Sequence, residues 1–98
     1  MRLILYSKPG CHLCEGLQEK LEKIENLQLE WEIRDITTQA DWFAAYQYEI
    51  PVLFLEYKQG TEQVLRERLP RISPRANQQQ LEQILYKYIL NIEKNTGQ

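Results

Sequence analysis

The chain has 98 residues, 43% of them hydrophobic and 27% charged, which excludes wholesale disorder and fits one domain around one core. Twelve Lys and Arg against fourteen Asp and Glu give a net charge of −2, so the basic excess of a nucleic-acid binder is missing. No apolar run reaches the roughly 18 residues of a membrane span, and the apolar stretch before Lys8 is too short for a signal-peptide core; a small soluble cytoplasmic domain is expected, monomeric and without nucleic-acid or membrane partners.

Arg2 to Tyr6 is a short aliphatic-rich run read as a strand, and Ser7-Lys8-Pro9-Gly10 is a turn signal. Past Gly10 the period becomes helical: Cys14, Leu17, Leu21 and Ile24 share one face, with Glu15, Gln18, Glu19, Glu22 and Lys23 opposite and Glu19–Lys23 as an i,i+4 pair. Leu29, Trp31 and Ile33 alternate with Glu30, Glu32 and Arg34, the period-2 pattern of a strand with one wet face. Thr38-Gln39-Ala40-Asp41 resembles a capping box opening a short helix through Trp42, Phe43 and Tyr46.

Pro51 to Leu55 reads as an apolar strand with its proline tolerated in first position. Lys58 to Thr61 has loop composition, and Glu62 to Arg68 reads as the returning strand of a hairpin. Leu81, Ile84, Leu85, Tyr88, Ile89 and Ile92 form a helical stripe, with Ser73-Pro74 as a start signal and Asn77 as a competing cap. The order β-α-β-α-β-β-α predicts an α/β fold in which strand, crossover helix and strand form a right-handed parallel pair and the hairpin adds two strands. A single domain over residues 1–92 and a fraying polar tail over 93–98 are expected.

The two cysteines, Cys11 and Cys14, are three residues apart. A bridge between them closes almost no loop, so stability is a poor reason for the pair. Structural zinc wants four Cys or His ligands, and only His12, wedged between the cysteines, could join them; no metal site is expected. A redox dithiol is left as the leading reading, beside two inert cysteines. Cys11 falls at the start of the helix, where free N–H groups and the helix dipole favour a thiolate over the thiol, whose ordinary pKa is about 8.5. Cys14 shares the buried stripe one turn on, shielded from outside attack but close to Cys11. The pair therefore reads as attacker and resolver. His12 either adds positive charge beside Cys11 or is an exposed first-turn residue.

Tyr6-Ser7-Lys8-Pro9-Gly10-Cys11-His12-Leu13-Cys14 and Ile50-Pro51-Val52, in this element order, resemble the glutaredoxin branch of the thioredoxin-like superfamily, and short bacterial glutaredoxin-like proteins in particular, over about residues 2–91. The resemblance implies a thioredoxin-like fold, a four-stranded mixed sheet flanked by three helices. It implies a cis Pro51 packed against the Cys11–Cys14 disulfide, and an Ile50 backbone whose amide and carbonyl pair with an extended thiol peptide. Lys8 matches the family's basic residue beside the thiolate and the glutathione glycyl carboxylate. The chain departs from the family in carrying His12-Leu13 between the cysteines, Glu49 shortly before Pro51, and Leu69-Pro70-Arg71-Ile72-Ser73 in place of a Gly-Gly-x-Asp turn.

The expected function is thiol–disulfide exchange on protein or glutathione-mixed disulfides, with Cys11 and Cys14 catalytic, Lys8, His12, Ile50 and Pro51 binding substrate, no bound cofactor, and glutathione as a candidate reductant. A non-catalytic redox-sensing module on the same fold is the alternative, and a dimer sharing an iron–sulfur cluster through one Cys11 per copy is a third reading. Arg66, Arg68, Arg71 and Arg75 lie within ten residues; they form either a solvated surface or an anionic-partner site. Trp31, Trp42 and Phe43 are expected in the core or half-buried, with Trp42 as a candidate rim contact.

Overall fold

The computed structural model describes residues 1–25, 29–60 and 63–96. Its elements are β1 (Arg2–Ser7), α1 (His12–Glu22), β2 (Glu30–Asp35), a 3-10 turn (Ile36–Thr38), α2 (Ala40–Tyr46), β3 (Val52–Gln59), β4 (Gln63–Arg68) and α3 (Gln78–Thr96). The four strands form one mixed sheet in the order β2-β1-β3-β4. β1 pairs parallel to β2, with Leu3 opposite Trp31, and antiparallel to β3, with Leu5 opposite Leu53; β3 and β4 form the hairpin.

Alternation along the central strands builds two cores. Leu3 and Leu5 of β1 and Leu53 and Leu55 of β3 point to one face, where they meet Leu17 and Leu21 of α1 and Leu81, Leu85, Ile89 and Ile92 of α3. Ile4, Tyr6 and Val52 point to the other, against Ile36, Trp42 and Tyr46. Both helical stripes read from the sequence are therefore the buried faces of α1 and α3. On the second face Tyr6 sits among Trp42, Tyr46 and Phe54 with ring centroids 5.7, 4.5 and 5.7 Å away. Arg34 closes this cluster. Its guanidinium donates to the Tyr6 hydroxyl at 2.9 Å and to Glu32, and lies 5.3 Å from the Trp42 ring.

Local chemistry decides several boundaries differently from the expected ones. Asp35, not Thr38, is the cap before α2: its carboxylate accepts from the Thr37 N–H at 2.9 Å and the Thr37 hydroxyl at 2.7 Å, opening the 3-10 turn. Thr38 donates to the Asp35 carbonyl, and α2 begins without a side-chain cap. Asn77 prevails over Ser73-Pro74 at α3, because Asn77 and Gln80 exchange a reciprocal pair of bonds, Gln80 N–H to Asn77 Oδ1 at 2.8 Å and Asn77 N–H to Gln80 Oε1 at 2.9 Å. Lys58 and Gln59 continue β3, opposite Val64 and Gln63, so the turn is shorter than composition suggests. Thr61 and Glu62, read as loop and strand start, and Gly97 and Gln98 of the expected tail lie outside the described residues. The helix itself runs on to Thr96.

Glu19 and Lys23 form no ion pair among the described residues; Lys23 caps the C-terminus of α1. β2 is an edge strand, which leaves Trp31 and Ile33 36% and 42% exposed despite their alternation. Phe43, expected at least half-buried, is also exposed. No helix among the described residues is long and apolar enough to cross a membrane.

Candidate active site

The site begins where β1 hands over to α1. The Cys11 N–H donates to the Lys8 carbonyl at 3.2 Å, closing a tight turn in which Gly10 takes φ of +82°. That left-handed conformation is open to glycine without the Cβ penalty other residues incur. The turn sets Cys11 as the N-cap of α1 in extended backbone, with its Sγ accepting the Cys14 N–H at 3.3 Å. Sulfur thus stands where a Ser or Asp oxygen usually caps a helix. The Cys11 carbonyl accepts the Glu15 N–H at 3.0 Å, the first bond of the helix.

Cys11 and Cys14 are joined as a disulfide with their Cα atoms 5.3 Å apart. Their surroundings differ: Cys11 is half-buried, whereas Cys14 is 2% exposed at the head of the Leu17–Leu21 stripe. His12 stands out from the surface, 95% exposed, with Nδ1 3.7 Å from Glu15 Oε2. Leu13 is exposed beside it.

The peptide bond between Ile50 and Pro51 is cis. Pro51 lines a 380 Å³ cleft together with His12, Leu13, Leu17, Ile72 and Pro74. His12 and Leu13, between the cysteines, and the distant Pro51 therefore form one concave surface. Ile50 differs from the expectation that both of its backbone groups face an incoming chain. Its N–H donates to the Tyr46 carbonyl at 3.1 Å, beside the Glu49 N–H at 2.9 Å. The end of α2 thus holds the approach to Pro51 and takes up the amide. Lys8 contributes its carbonyl to the turn, but its exposed side chain does not line the cleft.

The far wall of the cleft is the segment from Arg71 to Pro74, and two long-range devices position it. Lys20 of α1 donates from Nζ to the Pro74 carbonyl at 3.0 Å and the Ala76 carbonyl at 2.5 Å. Gln78 donates from Nε2 to the Lys23 carbonyl at 3.0 Å. The arginine cluster divides in function. Arg68, at the end of β4, pairs with the Glu49 carboxylate at 2.7 Å, so the acid near Pro51 has a cationic partner, and Arg71 donates to the Glu49 carbonyl at 3.0 Å. Arg66 pairs with Glu56 at 2.9 Å across the hairpin.

Perturbed groups lie on the α2 side. Burial pushes the Tyr46 phenol above its ordinary 10.0, and the hydrogen bond from Arg34 holds the Glu32 carboxyl below the usual carboxylate range. Asp35 is lowered by its bonds from the Thr37 hydroxyl and N–H. Trp42, expected in the core or half-buried and a candidate rim contact, is half-buried under Arg34 and does not line the cleft. Sequence reasoning missed Lys20 and gave Ile72 no role at the site. The spacing of Lys20 on the polar face of α1 gave no sign of a partner 54 residues away.

A Cys-x-x-Cys pair capping the first helix, beside a cis-proline loop on a β-α-β-α-β-β-α mixed sheet, defines a dithiol protein of the thioredoxin-like fold. The family model of the Glutaredoxin-like domain (DUF836) matches residues 2–86, and the chain belongs to that family. No curated protein and no solved structure matches it significantly.

Proposed function

We propose that the protein catalyses thiol–disulfide exchange, with Cys11 as nucleophile and Cys14 as resolving thiol. The observation that carries this reading is the asymmetry of the pair: Cys11 is accessible and its sulfur accepts an N–H at the helix start, while Cys14 is buried one turn on. In the reduced protein that N–H and the helix N-terminus stabilise the Cys11 thiolate over its thiol.

The reaction runs in two displacements. The Cys11 thiolate attacks one sulfur of a client disulfide, R–S–S–R′, forming a mixed disulfide with R and expelling R′S⁻, which takes up a proton. Cys14 then loses its proton, attacks Cys11 Sγ and expels RS⁻, leaving the Cys11–Cys14 disulfide and two client thiols. Two electrons have passed to the client, and an external thiol, glutathione or a protein dithiol, returns them. The cleft seats the apolar part of the client against Leu13, Leu17, Pro51 and Ile72. Lys8, exposed at the turn before Cys11, acts at the rim by its charge, and His12 lines the cleft mouth.

Steady-state reduction of a peptide disulfide tests the proposal. Cys11→Ser should abolish turnover, and alkylation of the reduced wild type near neutral pH should mark Cys11 before Cys14. Undiminished turnover by Cys11→Ser would dismiss Cys11 as the nucleophile, and a wild type that reduces no peptide disulfide would favour the redox-sensing module.

A further inference from the structure

Behind the Arg71–Pro74 wall lies a second groove of 660 Å³, between that segment and α3. Arg71, Arg75 and Lys87 line it with the amides of Gln80 and Gln83, and no carboxylate is among the lining residues. In a chain of net charge −2, this places three cations on one surface. The neighbouring arginines are different: Arg66 and Arg68 each face a carboxylate, Glu56 and Glu49. Arg71 donates to the Glu49 backbone carbonyl, and the Glu49 carboxylate is taken by Arg68. Pro70, Ile72 and Ile84 give the groove apolar surface between its charges.

The two grooves lie on either side of one segment, because Arg71, Ile72 and Ser73 line both. A chain whose cysteine is joined to Cys11 can therefore run past Ile72 onto the cationic surface. We infer that this second groove docks an acidic segment of the client polypeptide whose disulfide is exchanged at Cys11. The inference rests on the exchange reading for the word client, whereas the acidic docking surface stands on the groove itself. It makes the favoured substrate a protein disulfide flanked by acidic and apolar residues.

The test separates the groove from the chemistry with two readouts. In the first, a short, capped, glutamate-rich peptide without cysteine is titrated into the isotope-labelled full chain. Amide shifts should concentrate at Arg71, Arg75, Gln83 and Lys87, weaken with added salt, and vanish in Arg75→Glu/Lys87→Glu, whose side chains are exposed and carry no part of the core. In the second, peptide disulfides with glutamate, glutamine or lysine flanks are reduced. The wild type should favour the glutamate flank over the glutamine flank by about three- to five-fold per engaged charge, and the charge-reversed variant should lose that preference while reducing the glutamine peptide at the wild-type rate. Shifts with no reduction of any peptide would support the groove and defeat the exchange reading. Reduction indifferent to flanking charge, no shifts with the acidic peptide, or the same shifts produced only by a single-stranded oligonucleotide would overturn the inference.

Discussion

Replacing Lys20 with methionine keeps the aliphatic stem packed on α1 and removes only the ammonium that holds the cleft wall. That ammonium donates to two carbonyls, Pro74 at 3.0 Å in an exposed position and Ala76 at 2.5 Å in a part-buried one. Hydrogen bonds from a charged donor contribute about 1.5–3 kcal/mol each when shielded, and much less in water. Taking the exposed bond as minor gives a net loss of ~1.5 kcal/mol. For a domain of this size that lowers the melting temperature by about 6–12 °C. The assay is thermal unfolding followed by circular dichroism, with wild type and variant both held in the disulfide form. Lys23→Met, three residues on at the exposed cap of α1, is the control, and should change stability by no more than about 0.5 kcal/mol. Equal melting temperatures for Lys20→Met and wild type would refute the reasoning, since the wall would then be held by its apolar packing alone.

Asn77→Ala removes one half of the reciprocal cap on α3 and should cost about 1 kcal/mol in urea unfolding, with the Asn77→Ala/Gln80→Ala double variant losing less than the sum of the two single effects. Gly10→Ala meets no atom within 4 Å, so its cost is the left-handed backbone alone, about 1–2 kcal/mol; an unchanged midpoint would mean that the turn before Cys11 takes another conformation in solution. Tyr46 has a folded-state pKa raised by burial, so its contribution to stability is complete below the unfolded value of about 10 and is lost as pH rises through the folded one. The fall in stability on the alkaline side, measured by urea titration at stepped pH, should flatten in Tyr46→Phe.

Much of this architecture is legible because its signals are local. The apolar runs of β1 and β3 read as strands, whose two-residue repeat puts Leu3, Leu5, Leu53 and Leu55 on one face, and the spacing of Cys14, Leu17 and Leu21 gives α1 the stripe that packs there. The helix-start position of Cys11 follows from Pro9-Gly10 and the onset of that spacing, and the cap geometry agrees. Alternation cannot say whether a partner covers the apolar side of a strand, and β2 is at the sheet edge, so Trp31 and Ile33 stay partly in water. The capping box read at Thr38 gives way to Asp35, one of whose carboxylate oxygens accepts both the Thr37 N–H and the Thr37 hydroxyl. The pairing of Glu49 with Arg68 and the bonds of Lys20 join positions 19 and 54 or more residues apart. Such contacts depend on how the wall folds back over α1, which no local pattern encodes.

The most direct test of the exchange mechanism is to capture its intermediate. Reduced Cys14→Ser retains the backbone N–H that Cys11 Sγ accepts, so its nucleophile should be intact. Mixed with an excess of a peptide disulfide and read by intact mass and peptide mapping, it should accumulate one stable mixed disulfide at Cys11, while Cys11→Ser should gain none at Cys14 on the same timescale. An unmodified Cys14→Ser, or equal modification of Cys14 in the converse variant, would contradict the assignment of attacker and resolver.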